Sequence, residues 1–285
     1  MTAIALAVVK DGTALAADGR GWEPYQDGRT IRDDLQKIFP FGATGAFALT
    51  GWACSPQFSI PAAAARAAKK ADLSDFRTTT IKFAVEVNNA LALARSEGRF
   101  PRFPEHEDQS DPIKRSTVAR VFVVIPTAAG AWLAIIRLHH RDQVLRDPII
   151  EEHELRPGAM HLCGSDRVAA WMCGARGERK PLNRESSLQD AVRVVRWYVE
   201  TCASPAGRSL DPWCLHVGGH VHTTVLTAAA AAEIAAGAFL ESIDGIDGTR
   251  GATQEDKSQP RISNPAVRKK FLVFGSVHCR SERVQ

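Results

Sequence analysis

The chain opens with two apolar runs, residues 3–9 and 13–18, joined through Asp11-Gly12. An Asp-Gly pair between β-type runs predicts a hairpin, because a type I′ turn needs positive φ at both central residues. A further strand pair is expected at 36–41 and 44–50, ending at Gly51. Residues 57–71 are Ala-rich and helical after Pro56, with Pro61 an irregularity, and 74–96 carry a long helical pattern. Ser74 is the expected N-cap of that second helix, with Asp75 in its first turn. The polar, proline-rich stretch 97–116 predicts a surface loop.

Strands follow at 118–126 and 131–138, and a short one at 159–163 runs into Gly164-Ser165 and a helix over roughly 166–175. The helix expected at 187–203 sets Leu188, Ala191, Val192, Val195, Val199 and Cys202 along one face at 3.6-residue spacing. Strands at 213–219 and 221–227 come next, then an Ala-rich helix at 228–240, a polar segment at 244–265 and a last strand at 268–279. Two sheets built from such hairpins can stack face to face with a helical layer on each outer side. The predicted fold class is α+β, a four-layer αββα sandwich. Residues 2–240 form the expected domain, and 241–285 a polar C-terminal extension with a possible final strand.

Composition narrows the function without choosing it. The chain has 285 residues, 45% hydrophobic and 24% charged, as an ordinary soluble domain has. A net charge of +4 from 36 basic and 32 acidic residues, scattered along the chain, points away from nucleic acid. The first apolar stretch has no cationic leader and stops at Lys10-Asp11, so neither a signal segment nor a membrane span is expected. Six cysteines lie far apart without a Cys-x-x-Cys, which fits a reducing cytoplasm better than a disulfide framework or structural zinc.

The candidate chemistry starts at Thr2. A small second residue permits removal of Met1, and the product carries a hydroxyl and a free α-amine on one residue. That amine, with an ordinary pKa of about 7.7–8.0, suits a general base near neutral pH. Asp18, in Ala16-Ala17-Asp18-Gly19-Arg20, returns along the hairpin toward Thr2. Lys37 is a lone charge at the start of an apolar strand, and burying an ammonium without a partner is costly. If it meets Asp18, the pair sets a positive field beside the Thr2 hydroxyl.

These residues and their spacing resemble proteasome β subunits and the related bacterial ATP-dependent ring protease. Thr2 to Asp18 is sixteen residues and Lys37 to Gly51 fourteen, as in that family, while the Asp18–Lys37 interval is about three longer, absorbed by a turn near Asp27-Gly28. His161-Leu162-Cys163-Gly164-Ser165-Asp166 resembles the family's strand–Gly-Ser–helix element. The resemblance implies the N-terminal-nucleophile hydrolase fold and a threonine-type endopeptidase. In it Thr2 is the nucleophile, Asp18 and Lys37 the tuning pair, the Gly51 N–H the oxyanion donor and Ser165 a proton relay beside the amine. It further implies peptide or unfolded-protein substrates, a homo-oligomeric ring, an ATPase partner and no cofactor.

The pattern departs from the family after residue 203. No acid occupies the expected place, Ser209 matches the family's serine and Asp211 is only a weak candidate for the acid. Trp52 stands where a small residue is usual beside the oxyanion glycine. Two other readings compete: an inactive structural ring subunit, and a metal-dependent hydrolase using His216, His220 and His222. Those three imidazoles share parity on an extended segment, unless Gly218-Gly219 turns the chain there.

Overall fold

A computed structural model describes residues 2–25, 28–51, 54–55, 57–100, 102–103, 116–174 and 179–227, with 22–25 and 28–31 as backbone only. Strands β1 (Ile4–Val9) and β2 (Gly12–Asp18) form the first hairpin, paired from Ile4↔Ala17 to Val9↔Gly12. The turn lies one residue earlier than expected. Its central residues are Lys10 and Asp11, neither has positive φ, and Gly12 at φ +144° closes it from within the strand. A small hairpin, β3 (Gly21–Tyr25) and β4 (Gly28–Arg32), fills the interval before Lys37.

Next come β5 (Ile38–Phe41), β6 (Gly45–Gly51), and the two-residue strands β7 (Cys54–Ser55) and β8 (Phe58–Ser59). Helix α1 (Ile60–Ala68) is capped by Ser59, whose hydroxyl accepts the Ala62 N–H. Pro61 falls in its first turn, where a missing N–H costs nothing, so the expected irregularity does not arise. Helix α2 (Phe76–Ser96) is capped by Asp75 rather than Ser74, because a 3-10 turn over Leu73–Asp75 takes up the serine.

Strands β9 (Thr117–Thr127) and β10 (Gly130–Arg141) form a long hairpin, followed by β11 (Val144–Leu145), β12 (Ile149–Leu155) and β13 (Met160–Cys163). Helices α3 (Asp166–Cys173), α4 (Leu188–Ala203) and α5 (Pro205–Leu210) lead through a 3-10 turn, Pro212–His216, to β14 (Val221–Leu226). The strand expected at 213–219 is therefore absent. Asp211 accepts the Trp213 N–H and Pro212 opens the turn, a helical start instead of an extended one. The elements expected at 228–240, 244–265 and 268–279, Trp52, and residues 101 and 104–115 of the 97–116 loop lie outside the described residues.

The result is a mixed α/β fold with antiparallel sheets. One sheet has the order β13-β1-β2-β14; the other has β11-β10-β9-β6-β5, with β12 also on β10. Every residue of β1 is buried, as a strand covered on both faces must be. On one side α4 packs against β1 and β2 through Ala191, Val195 and Val199. The same core takes in Ala48, Phe122, Val124 and Leu133 from the larger sheet. That sheet's opposite face, with Phe47, Val121, Val123 and Trp132, meets Ile60, Ala64, Phe83 and Val87 of α1 and α2. Among the described residues no helix is long and apolar enough to cross a membrane.

Candidate active site

The edge of the β1–β2 hairpin builds the site. Because β2 runs back beside β1, Asp18 comes level with Ala3: the Asp18 N–H donates to the Ala3 carbonyl at 3.2 Å, and the Ala3 N–H donates to Asp18 Oδ1 at 3.0 Å. Asp18 is wholly buried. Its Oδ2 accepts the backbone N–H groups of Arg20 at 3.2 Å and Gly218 at 3.3 Å. A carboxylate out of water thus has four donors, counting Lys37, which a buried anion requires.

Lys37 enters from the larger sheet. Its carbonyl accepts the Leu49 N–H, so β6 fixes the residue's backbone just before β5 begins. The Lys37 Nζ donates to Asp18 Oδ1 at 2.9 Å and to Thr2 Oγ1 at 3.2 Å. Thr2 and Lys37 are each 8% exposed. Burial pushes the Lys37 pKa below the ordinary lysine value, with Asp18 opposing that shift. Thr2, Asp18 and Lys37, separated by up to 35 residues in sequence, are therefore one hydrogen-bonded group.

Ser165 follows the segment that passes Thr2, and Gly51 ends the strand whose Leu49 bonds the Lys37 carbonyl. Gly164 has φ +132°, and an added Cβ would stand 3.0 Å from the Thr2 carbonyl, so the chain passes Thr2 too closely for a side chain there. Ser165 follows and caps α3 by accepting the Val168 N–H. Its hydroxyl donates to Asp211 Oδ2 at 2.7 Å, and its N–H donates to the Tyr198 hydroxyl at 3.0 Å. Gly51 ends β6, two residues beyond Leu49, with φ +109° and Ala119 opposite. An added Cβ would sit 2.5 Å from the Val118 carbonyl, so glycine is required there.

Asp211 is the acid that spacing discounts. It is buried and bonded to Ser165, carried there by the 3-10 turn that replaces the expected strand. The signal is Asp211-Pro212 itself, a turn opener. Ser209 does not join the group: it is exposed, and its hydroxyl donates to the Pro205 carbonyl within α5. The histidines also part company. His216 ends the 3-10 turn near Trp213, while His220 and His222 lie 6.5 Å apart by ring centroid. Among the described residues no group of three His, Cys, Asp or Glu side chains is placed to hold a metal.

Neither family models nor curated proteins give a match to this chain. Solved structures do. A Gly-1 mutant of Anbu from Hyphomicrobium sp. strain MC1 is 13% identical, over 80% of this chain and 82% of that one, with a TM-score of 0.41. Anbu (ancestral beta-subunit) from Yersinia bercovieri is 12% identical over 79% and 81%, with a TM-score of 0.45. The helical assembly of the Anbu complex from Pseudomonas aeruginosa is 13% identical over 82% and 91%, with a TM-score of 0.47. The family named from the motifs is corrected by this result. The matched structures carry the name Anbu, one of them with the words ancestral beta-subunit, and no comparison ties the chain to a proteasome β subunit or the bacterial ring protease. At such identity and superposition they assign it neither family nor activity.

Proposed function

We propose that this protein is a threonine-type peptidase of the N-terminal-nucleophile kind, with Thr2 exposed by loss of Met1. The observation that carries the reading is the Lys37 ammonium, buried and shared between Thr2 Oγ1 at 3.2 Å and Asp18 Oδ1 at 2.9 Å. An ammonium can only donate, so the Thr2 oxygen accepts from it and keeps its own proton free to leave. The positive field lowers the cost of an alkoxide at that oxygen, and the Asp18 carboxylate holds the proton on Lys37 against desolvation.

In this reading the Thr2 α-amine takes the hydroxyl proton as Oγ1 attacks the scissile carbonyl. The Gly51 N–H stabilises the oxyanion, the leaving amine takes the proton, and water activated by the Thr2 amine hydrolyses the ester. Ser165, polarised by Asp211, fixes the turn that passes Thr2. The architecture is read as the four-layer αββα arrangement, with residues 2–240 as its domain and 241–285 as an extension. The substrates are peptides or unfolded chains, and self-association belongs to the same reading. The five described cysteines form no disulfide with one another, in keeping with a reducing compartment such as the cytoplasm.

The test is turnover. Purified protein incubated with a denatured substrate protein should release peptides, followed by mass spectrometry, and Thr2→Ala should release none. Equal release by both would refute the reading, and no release by either would favour a structural subunit.

A further inference from the structure

One pair of like charges on the sheet face that turns toward the smaller sheet is left unbalanced. Arg120 and Arg137 are direct partners across β9 and β10. Both share the face of Phe122, Val124, Leu133 and Ile135, which turns toward the smaller sheet. Like charges placed opposite each other on one face of a sheet repel. Arg137 is balanced by Glu151, with Nη2 to Oε1 at 2.7 Å. Arg120 forms no ion pair among the described residues, and it is half-buried.

Its position is defined by register. Arg120 lies opposite Thr50, the residue before Gly51. From the facing sheet His161 meets the Phe122 ring at 5.7 Å between centroids. Two residues further along each strand Arg120 reaches Cys163, whose thiol feels the charge of its guanidinium. Cys163 pairs with Ile4, and Gly164 lies against the Thr2 carbonyl. The guanidinium is thus flanked by the strand that ends at Gly51 and by the strand that passes Thr2. Its remaining neighbours form no ion pair with it among the described residues. Burial, reinforced by the Arg120 guanidinium, lowers the His161 pKa to about 4, so that ring is neutral, and Asp166 acts on Cys163 from the exposed first turn of α3.

We propose that Arg120 is a specificity-determining residue that receives a substrate carboxylate, an Asp or Glu side chain, next to the scissile bond. This rests on the reading of Thr2 as nucleophile. A planar guanidinium offers a carboxylate two parallel donors, and at a half-desolvated site such a bond discriminates strongly. An amide-bearing residue of the same shape would leave the charge uncompensated.

The experiment compares quenched fluorescent peptides that differ only by Glu or Gln at one position flanking the cleavage site. The wild-type protein should cleave one Glu peptide with kcat/KM higher by about 10- to 100-fold, the worth of one charge-assisted hydrogen bond. Arg120→Gln should erase the preference, Arg120→Lys should keep part of it, and Arg120→Glu should favour a Lys peptide. Thermal midpoints of the variants separate lost specificity from lost folding, and Arg120→Lys, which keeps the charge, serves if Arg120→Gln does not fold. Cleavage by the wild type without a Glu preference, or a preference that survives in Arg120→Gln, overturns the proposal while Thr2 remains the nucleophile. A wild type that neither cleaves nor reacts with a threonine-directed electrophile overturns the reading of Thr2, and this inference with it.

Discussion

Replacing Asp18 with asparagine tests the electrostatic core of the site with almost no change of shape. In the native arrangement Oδ1 accepts from the Ala3 N–H and the Lys37 ammonium, and Oδ2 accepts from the N–H groups of Arg20 and Gly218. An amide has one accepting side and one donating side. Whichever way the substituted side chain is turned, two of those four donors face its NH2 group. Lys37 also loses its counter-charge at a position where burial already lowers its pKa. Breaking a buried ion pair by removing one partner costs about 3–5 kcal/mol, and each buried donor left unpaired costs about 1–3 kcal/mol. Relaxation offsets part of the sum, so a net loss of about 3–5 kcal/mol is expected. For a domain of this size that corresponds to a fall in Tm of roughly 6–20 °C. Reaction of Thr2 with an epoxyketone should slow by about 10²–10³-fold, as when one preorganised donor is lost. Thermal denaturation with the labelling time course reads both quantities. An Asp18→Asn protein within about 1 kcal/mol of wild-type stability, labelled at the wild-type rate, would refute the reasoning.

The other consequences are more local. Ser165→Ala removes both the cap on α3 and the hydroxyl that meets Asp211, so urea denaturation should show a loss of about 1–3 kcal/mol. Gly51→Ala places a Cβ against the Val118 carbonyl at φ +109°, which should destabilise the protein by about 1–3 kcal/mol and abolish labelling. Lys37 loses its proton below the usual value of about 10.4, because burial lowers its pKa. The labelling rate should therefore fall on the alkaline side before ordinary lysines titrate. Between the lowered native value and the ordinary one, the unfolded chain binds more protons than the native protein. The contribution of Lys37 to stability should consequently rise with pH across that window, as denaturation at successive pH values would show.

How much of this is visible in the sequence differs by element. The β1–β2 hairpin and the buried face of α4 follow from the local pattern, although the turn itself falls one residue earlier than its Asp-Gly pair suggests, and observed burial of Ala191, Val195, Val199 and Cys202 agrees with the helical period. The convergence of Asp18 on Thr2 follows from the hairpin alone, whereas the approach of Lys37 depends on how the two sheets stack. That tertiary fact is invisible to periodicity. Strand β12 is hidden for a related reason. Ile149–Leu155 is rich in charge and half exposed, and only its pairing with β10 makes it a strand. Asp211 is easily discounted because Trp213, Cys214, Leu215 and Val217 look like a strand, while Asp211-Pro212 starts a 3-10 turn that carries the acid to Ser165.

The account stands or falls on a free Thr2 whose oxygen is the reacting atom. Intact-mass measurement of the purified protein, before and after an epoxyketone probe and beside Thr2→Ala, addresses this most directly. The predicted result is a chain lacking Met1 that gains one probe, with no gain in Thr2→Ala. A chain that retains Met1, or one in which Thr2→Ala is modified equally, would contradict it.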